Sequence, residues 1–173
     1  MERDALWYEA AMVVGITNAL NVVADGLTAA RELGAPIPDP DEARAPAETA
    51  KTFADIKAFY ERRDVPVAFR VLATDPGYLA DVWGATRRAF SDNHLSRRLK
   101  ESLAFAVSLT TRSAFGTAFH IGEMRRLGVG ERGVMEVLGV TQMFSSYTKI
   151  ADTLQLEPDM GDIAPIDDSP APR

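Results

Sequence analysis

The chain of 173 residues contains no cysteine. Disulfides, thiolate metal ligands and thiol nucleophiles are therefore excluded from its chemistry. Basic residues are also in the minority, since 19 Lys and Arg face 25 Asp and Glu and leave a net charge of −6. This balance does not fit the clustered basic surface of a nucleic-acid-binding protein. Residues 155–173 hold five acids and one base, so the rest of the chain is close to neutral.

Long hydrophobic runs are missing as well, because no stretch reaches about 18 consecutive apolar residues. The N-terminus, Met-Glu-Arg-Asp, lacks the basic and apolar regions of a signal peptide. We therefore expect a cytoplasmic protein with neither a membrane nor a nucleic acid as its partner.

Apolar residues recur at helical spacing through most of the chain, and alternation typical of strands is almost absent. The sequence predicts an all-α fold. A long helix over 1–33 ends at Gly34, a Pro/Asp-rich linker follows over 34–46, and a helical domain covers 47–155. The last two helices of that domain are predicted over 130–138 and 141–154. The acidic tail, 156–173, has too few apolar residues to offset the entropy of ordering it.

Two helical segments of the chain resemble each other. Val13–Leu27 and Val140–Leu154 align without gaps, and both end in Ala-Asp-x-Leu. This echo indicates either two helices in equivalent places, within the subunit or across a subunit contact, or chance similarity of amphipathic helices.

Glu101 and His120 are the polar pair on helix faces that are otherwise apolar. A buried Glu and a His titrate near neutral pH, so a pair within hydrogen-bond reach can exchange a proton during catalysis. The alternative is a core histidine with a carboxylate that faces Arg97 or Arg112. A metal site that adds Glu123 is less favoured, since the chain has two histidines and no repeated Glu-x-x-His pattern, and we expect no metal and no cofactor.

The spacing of four residues resembles the core of the carboxymuconolactone decarboxylase and alkylhydroperoxidase AhpD-like family. That family has a Glu, a Cys twelve residues later, a second Cys three residues later and a His four beyond that. Glu101, Ser113, Gly116 and His120 stand at these positions with all intervals kept, so only the cysteines differ. The likeness covers about residues 50–154.

The resemblance implies an AhpD-like helical fold, assembled as a homo-oligomer, commonly a trimer or hexamer, in which the glutamate and histidine flank a pocket. In the peroxidase branch the two thiols reduce peroxide and form a disulfide, which serine and glycine cannot do. The lactone decarboxylase branch does not depend on the thiols and needs acid–base groups. We therefore expect Glu101 and His120 to catalyse a lyase or isomerase step on a small, anionic organic molecule.

The residues around His120 complete the predicted site. Ser113 and Gly116 are small, and we expect them to leave room for a ligand beside the imidazole. The predicted substrate-binding residues are Arg112, Ser113, Phe115, Gly116 and Thr117.

Two other functions stay open at this stage. One is a non-enzymatic oligomeric module of the same fold that binds a ligand or a protein partner, and the weaker one is peroxidase activity. An open cavity that reaches both Glu101 and His120 would favour catalysis. A closed site with His120 packed among apolar side chains would favour the binding module.

Overall fold

A computed structural model describes residues 2–38 and 40–156. The predicted all-α fold is confirmed, since the described part of the chain contains seven α-helices and no strand. The helices are α1 (Glu2–Glu32), α2 (Ala47–Tyr60), α3 (Val67–Leu72), α4 (Pro76–Phe90), α5 (Arg97–Thr110), α6 (Ala114–Arg126) and α7 (Glu131–Leu154). The predicted tail lies outside the described residues from 157 onward.

Helix ends follow the residues that cap them. Gly34 has a φ of +78° after α1, and the amide of Ala35 donates to the carbonyl of Ala30, the arrangement of a Schellman motif. The hydroxyls of Ser96 and Ser113 accept hydrogen bonds from the free amides that begin α5 and α6. The glycine signal is visible in the sequence, and the predicted end of the first helix at residue 33 lies one residue from the observed end of α1.

Two predicted segments differ from the structure. Residues 131–154 form one continuous helix rather than two, and Gly139 lies inside it with open space around its Cα. A glycine inside a helix costs only about 1 kcal/mol relative to alanine, so it weakens a helix without ending it. The predicted linker contains a short 3-10 helix, Glu42–Arg44, whose Asp41 side chain caps its first turn.

The core consists of three packed groups of side chains. An aromatic group between α2, α3 and α4 includes Tyr60, Phe69 and Trp83, whose rings meet at centroid distances of 5.5 to 6.4 Å. A second group joins α1, α4 and α5, and a third joins α5, α6 and α7. Helix α5 takes part in the second and third groups. Helix α6 takes part in the third group and packs Phe119 against the first, so both helices are held from several sides.

Helix α1 packs along the domain through the buried residues Val13, Thr17, Asn21 and Ala24. The length and mean hydropathy of Asp4–Glu32 are also sufficient for a membrane span. This segment was not predicted as a span because polar residues interrupt its apolar runs. Core helices of soluble proteins meet the same test of length and composition. Because one face of α1 contacts α5 and α6 and carries buried polar groups, we interpret it as a packed helix of this domain.

Candidate active site

The turn between α5 and α6 brings the two predicted catalytic residues together. Arg112 adopts the left-handed conformation, with φ of +58°, and the amide of Ser113 donates to the carbonyl of Ser108. The chain thus reverses within three residues, and α5 and α6 run side by side. Nδ1 of His120 lies 2.8 Å from Oε2 of Glu101, and both side chains are buried.

The other oxygen of Glu101 faces an arginine. Its Oε1 is 3.7 Å from Nε of Arg97, and neither atom has a hydrogen-bond partner among the described residues. Arg97 is held by a hydrogen bond to the carbonyl of Phe59, and its guanidinium lies 3.8 Å above the Phe59 ring. The carboxylate therefore has a positive charge on one side and an imidazole on the other. The sequence interpretation in which Glu101 faces Arg97 holds together with the contact to His120, although Glu101 is fully buried rather than partly exposed.

A second buried carboxylate continues this network. Oε2 of Glu123 accepts hydrogen bonds from Arg126 at 2.8 and 3.0 Å and from Arg97 at 3.3 Å. Burial raises the pKa of Glu123, the hydrogen bond from Arg126 opposes this shift, and the nearby charge of Glu101 adds to it. Arg97 thus connects Glu101 to Glu123, so the two carboxylates share one counter-charge.

Aromatic rings surround the imidazole. The ring of Phe90 is parallel to that of His120 at 5.9 Å, and Phe119 meets it edge-on at 5.2 Å. Tyr60 also lies in this wall, and burial raises its pKa well above the usual range, with the charge of Glu101 as a further cause. The Tyr60 hydroxyl therefore stays protonated and acts through hydrogen bonds.

A small cavity borders His120. Its volume is about 10 Å³, which corresponds to a single water molecule. The lining residues are Leu20, Asn21, Tyr60, Pro66, Ala68, Phe69, Phe90, Phe115, Phe119 and His120, and none is Lys, Arg, Asp or Glu. The expectation of an anionic ligand therefore finds no cation in this wall. Glu101 lies behind His120 and does not line the cavity.

The predicted substrate-binding residues do not form one group. Phe115 lines the cavity and stacks on Phe119 at 5.7 Å, whereas Thr117 is half-buried and lies outside the lining. Arg112 is exposed and borders a separate surface groove of about 860 Å³ between the end of α5 and α7. Ser113 is buried, and its hydroxyl caps α6 by accepting a hydrogen bond from the amide of Gly116.

The expected free space beside Gly116 is occupied. A Cβ on Gly116 would collide with Oδ1 of Asn21 and Oγ of Ser108. The prediction that glycine leaves room there for a ligand is therefore wrong, because α1 inserts the Asn21 side chain into that space. Asn21 and Thr17 are the polar residues among the buried positions of α1, and this was the sequence signal for a polar contact there.

No cluster of three or more His, Asp or Glu that could hold a metal ion occurs among residues 2–38 and 40–156. The cations that face the two buried carboxylates, Glu101 and Glu123, are Arg97 and Arg126.

Residues 76–156, which include α4 to α7 and both Glu101 and His120, match the model of the carboxymuconolactone decarboxylase family. This match covers 81 of the 173 residues, slightly less than half of the chain, so the region is similar to that family. It supports the resemblance noted from the spacing of Glu101 and His120, in a chain that has no cysteine.

A solved structure supports the same fold. The alkylhydroperoxidase AhpD core from Rhodospirillum rubrum superimposes with a TM-score of 0.67 at 23% sequence identity, over 72% of this chain and 94% of that chain. At this identity the likeness shows the fold and not the activity. No curated protein matches the chain.

Proposed function

We propose that this protein is a member of the carboxymuconolactone decarboxylase family and transfers protons to and from a small organic molecule through Glu101 and His120. The observation that carries the proposal is the buried hydrogen bond of 2.8 Å between these side chains, at the edge of an aromatic cavity. When a neutral His120 donates its Nδ1 proton to Glu101, its Nε2 is unprotonated and can accept a proton from a ligand. Glu101 fixes this tautomer and stabilises the imidazolium that forms when Nε2 accepts a proton.

The energetic position of Glu101 supports a functional reading. A buried carboxylate is costly unless all of its hydrogen bonds are made, and Oε1 of Glu101 has none. Replacing buried ion pairs by apolar residues is often neutral or stabilising, so stability alone does not account for this network. Nε of Arg97 lies 3.7 Å from Oε1 of Glu101 and is the positive charge that faces this carboxylate on the side away from His120.

The reaction class follows from what the chain contains. Peroxide reduction through a disulfide needs two thiols, and the sequence has none. Proton transfer alone supports a lyase or isomerase step, such as the opening or decarboxylation of a lactone. The sequence led us to expect an anionic ligand, but the cavity wall beside His120 contains no Lys or Arg that would pair with a negative charge.

One observation favours the non-enzymatic alternative. The cavity of about 10 Å³ is too small for an organic substrate, and His120 is packed between Phe90 and Phe119. Under this alternative, Glu101 and His120 only join α5 to α6 within a helical module that binds a partner. Catalysis therefore requires that the half-buried rings of Phe115 and Phe119 move to admit a substrate.

Turnover of carboxymuconolactone, and of lactones of similar size that carry no carboxylate, tests the proposal. We expect Glu101→Gln and His120→Ala to lose activity about 10²- to 10⁴-fold, the range typical of removed acid–base groups. His94→Ala is the matched control, because His94 is the other histidine and lies exposed in the turn before α5. Circular dichroism must show that each variant is folded.

The outcomes separate the two functions. Activity that Glu101→Gln and His120→Ala leave unchanged would overturn the proton-transfer assignment. Wild-type protein without turnover, combined with lower melting temperatures in both variants, would support the module that only binds.

A further inference from the structure

Asn21 of α1 is a buried polar residue that the proposed proton transfer does not use. Its Nδ2 lies 3.0 Å from Oγ of Ser108 and 3.4 Å from Oγ1 of Thr111. Both hydroxyls already donate their protons to backbone carbonyls, at 2.8 Å to Ala104 and 2.9 Å to Val107. They can therefore only accept from Asn21, which fixes the orientation of the amide.

This orientation leaves the amide oxygen without a donor. Oδ1 of Asn21 is buried and has no hydrogen-bond partner among the described residues. An unsatisfied buried carbonyl of this kind destabilises a protein, which makes it unusual in a core position. It lies against Gly116, the one residue type that offers no Cβ to collide with it.

Asn21 and His120 line the same cavity. The wall thus includes Asn21, whose Oδ1 is unpaired and lies against Gly116 next to this wall, the imidazole of His120 and the rings of Tyr60, Phe69, Phe90, Phe115 and Phe119. Apolar walls with a few convergent polar groups are the usual composition of a small-molecule site. The residues of the wall that are partly exposed are Leu20, Phe115 and Phe119, so a ligand would enter on this side.

We propose that Asn21 is a ligand-orienting residue of this site, and that its Oδ1 accepts a hydrogen bond from the hydroxyl group of a small, uncharged ring compound. The inference rests on the proposed function for the location of the site and adds the class of molecule that it takes. Once the rings of Phe115 and Phe119 move outward to enlarge the cavity, the aromatic wall holds the ring of the ligand and Oδ1 of Asn21 accepts from its hydroxyl, with His120 beside them. A carboxylate ligand would be repelled by Oδ1, since both groups are acceptors only.

Binding of phenol, anisole and toluene to the full chain tests this role. The three probes share the ring, but only phenol can donate a hydrogen bond. Isothermal titration calorimetry should give phenol an affinity about 2- to 10-fold higher than that of anisole and toluene, the range expected for one neutral hydrogen bond. The side-chain amide resonances of Asn21 should shift with phenol and not with toluene.

A variant and its control locate the effect. Asn21→Leu keeps the size of the side chain and should remove the preference for phenol while retaining toluene binding. Asn18→Leu, one turn earlier on the exposed face of α1, should keep the preference. If Asn21→Leu does not fold, the comparison of phenol with anisole on the wild-type protein and the amide shifts still decide.

Equal affinities for the three probes, no binding of any of them, or a preference for phenol that survives in Asn21→Leu would overturn the inference. Failure of the proposed function is distinguishable. If Glu101→Gln retains full lactone turnover while Asn21→Leu loses the phenol preference, the proton-transfer proposal fails and the role of Asn21 stands. If Glu101→Gln loses turnover and Asn21→Leu binds phenol normally, the reverse holds.

Discussion

At the scale of single residues, Gly116 and Asn21 are matched in shape although 95 positions separate them in the sequence. The absence of a Cβ at Gly116 makes space for the amide of Asn21, which in turn binds Ser108. A larger residue at either position would displace the other. The small residue at this position of the family spacing is thus explained by the helix that covers it.

We predict that Gly116→Ala lowers the free energy of unfolding by about 1–3 kcal/mol, because an overpacked core must shift to accept the new methyl group. The matched control is Gly122→Ala on the same helix, where a Cβ meets nothing within 4 Å and stability should rise by up to about 1 kcal/mol. Urea unfolding measures both. Gly116→Ala as stable as Gly122→Ala would show that the contact with Asn21 is not tight.

A double-mutant cycle tests the pairing itself. Asn21→Ala removes the amide that opposes the new methyl group, so the two substitutions together should cost less than their sum. Coupling of about 0.5–3 kcal/mol is typical of residues in direct contact. Additive effects would indicate that the two positions do not contact each other.

The sequence predicted part of this site. The sequence placed Glu101 and His120 on otherwise apolar faces of two successive helices, and the family resemblance placed both beside one pocket. The hydrogen bond of 2.8 Å between them is a finding of the structure. Asn21 and Phe90 belong to α1 and α4, and no spacing along the chain specifies which of their neighbours they meet. The size of the cavity depends on that packing, so it was not predictable from the pattern.

At the scale of elements, a buried ion pair attaches α1 to the start of α5. Nζ of Lys100 is fully buried, 3.2 Å from Oε2 of Glu9 and 2.6 Å from the carbonyl of Ser91. The Glu9 carboxylate also accepts hydrogen bonds from the amides of His94 and Leu95. One side chain of α1 thereby satisfies three donors of another part of the fold.

The same contacts predict the pH dependence of stability. Burial acts to raise the pKa of Glu9, but the hydrogen bonds from Leu95, Lys100 and His94 outweigh it, so the pKa lies below the ordinary value of 4.5. A lowered folded-state pKa gives stability that is present above 4.5 and is lost as the pH falls through the lowered value.

We therefore expect Glu9→Gln to be less stable than the wild type at pH 7, and the difference to shrink as the pH falls below 4.5. Urea unfolding at pH 3 to 8 measures it. Glu136→Gln is the control, since its exposed pair with Arg132 should contribute only about 0–1 kcal/mol. A Glu9→Gln difference that is constant over this pH range would contradict the assignment.

Helix boundaries show what the pattern could and could not specify. Ser96, Ser113 and Gly34 act on the backbone within a few residues, so they mark ends that the sequence predicts correctly. Gly139 gives the same kind of signal but lies in the middle of α7. Helical residues on both sides and packing of the first half of α7 on α5 and α6 outweigh its low propensity.

At the scale of the whole molecule, the second half of α7 exposes an apolar face. Each of its members is more than half exposed: Val140, Met143, Phe144, Tyr147, Ile150 and Leu154. Contiguous apolar surface of this kind on a soluble protein marks an interaction site. In the homo-oligomer that the family resemblance implies, a contact between subunits would bury this face.

The echo between the two helical segments bears on the partner. The positions of α1 that correspond to this face are Val13, Ile16, Thr17, Leu20, Val23 and Leu27, all of which are buried or half-buried against the domain. The two segments are therefore not equivalent within one subunit, because only α1 is packed. A helix face with the same spacing that remains uncovered fits a contact with a second copy of the chain.

We predict that the protein is a homo-oligomer, a trimer or hexamer, and that Phe144→Glu shifts it to smaller species. Phe144 is 68% exposed in the subunit. If a contact between subunits buries this position, a glutamate there would place an unpaired charge in the contact and weaken it. Light scattering coupled to size-exclusion chromatography measures the mass. Thr153→Glu adds the same charge on the opposite, exposed side of α7 and should leave the mass unchanged. A wild-type monomer, or a Phe144→Glu variant with the wild-type mass, would place the contact elsewhere or exclude it.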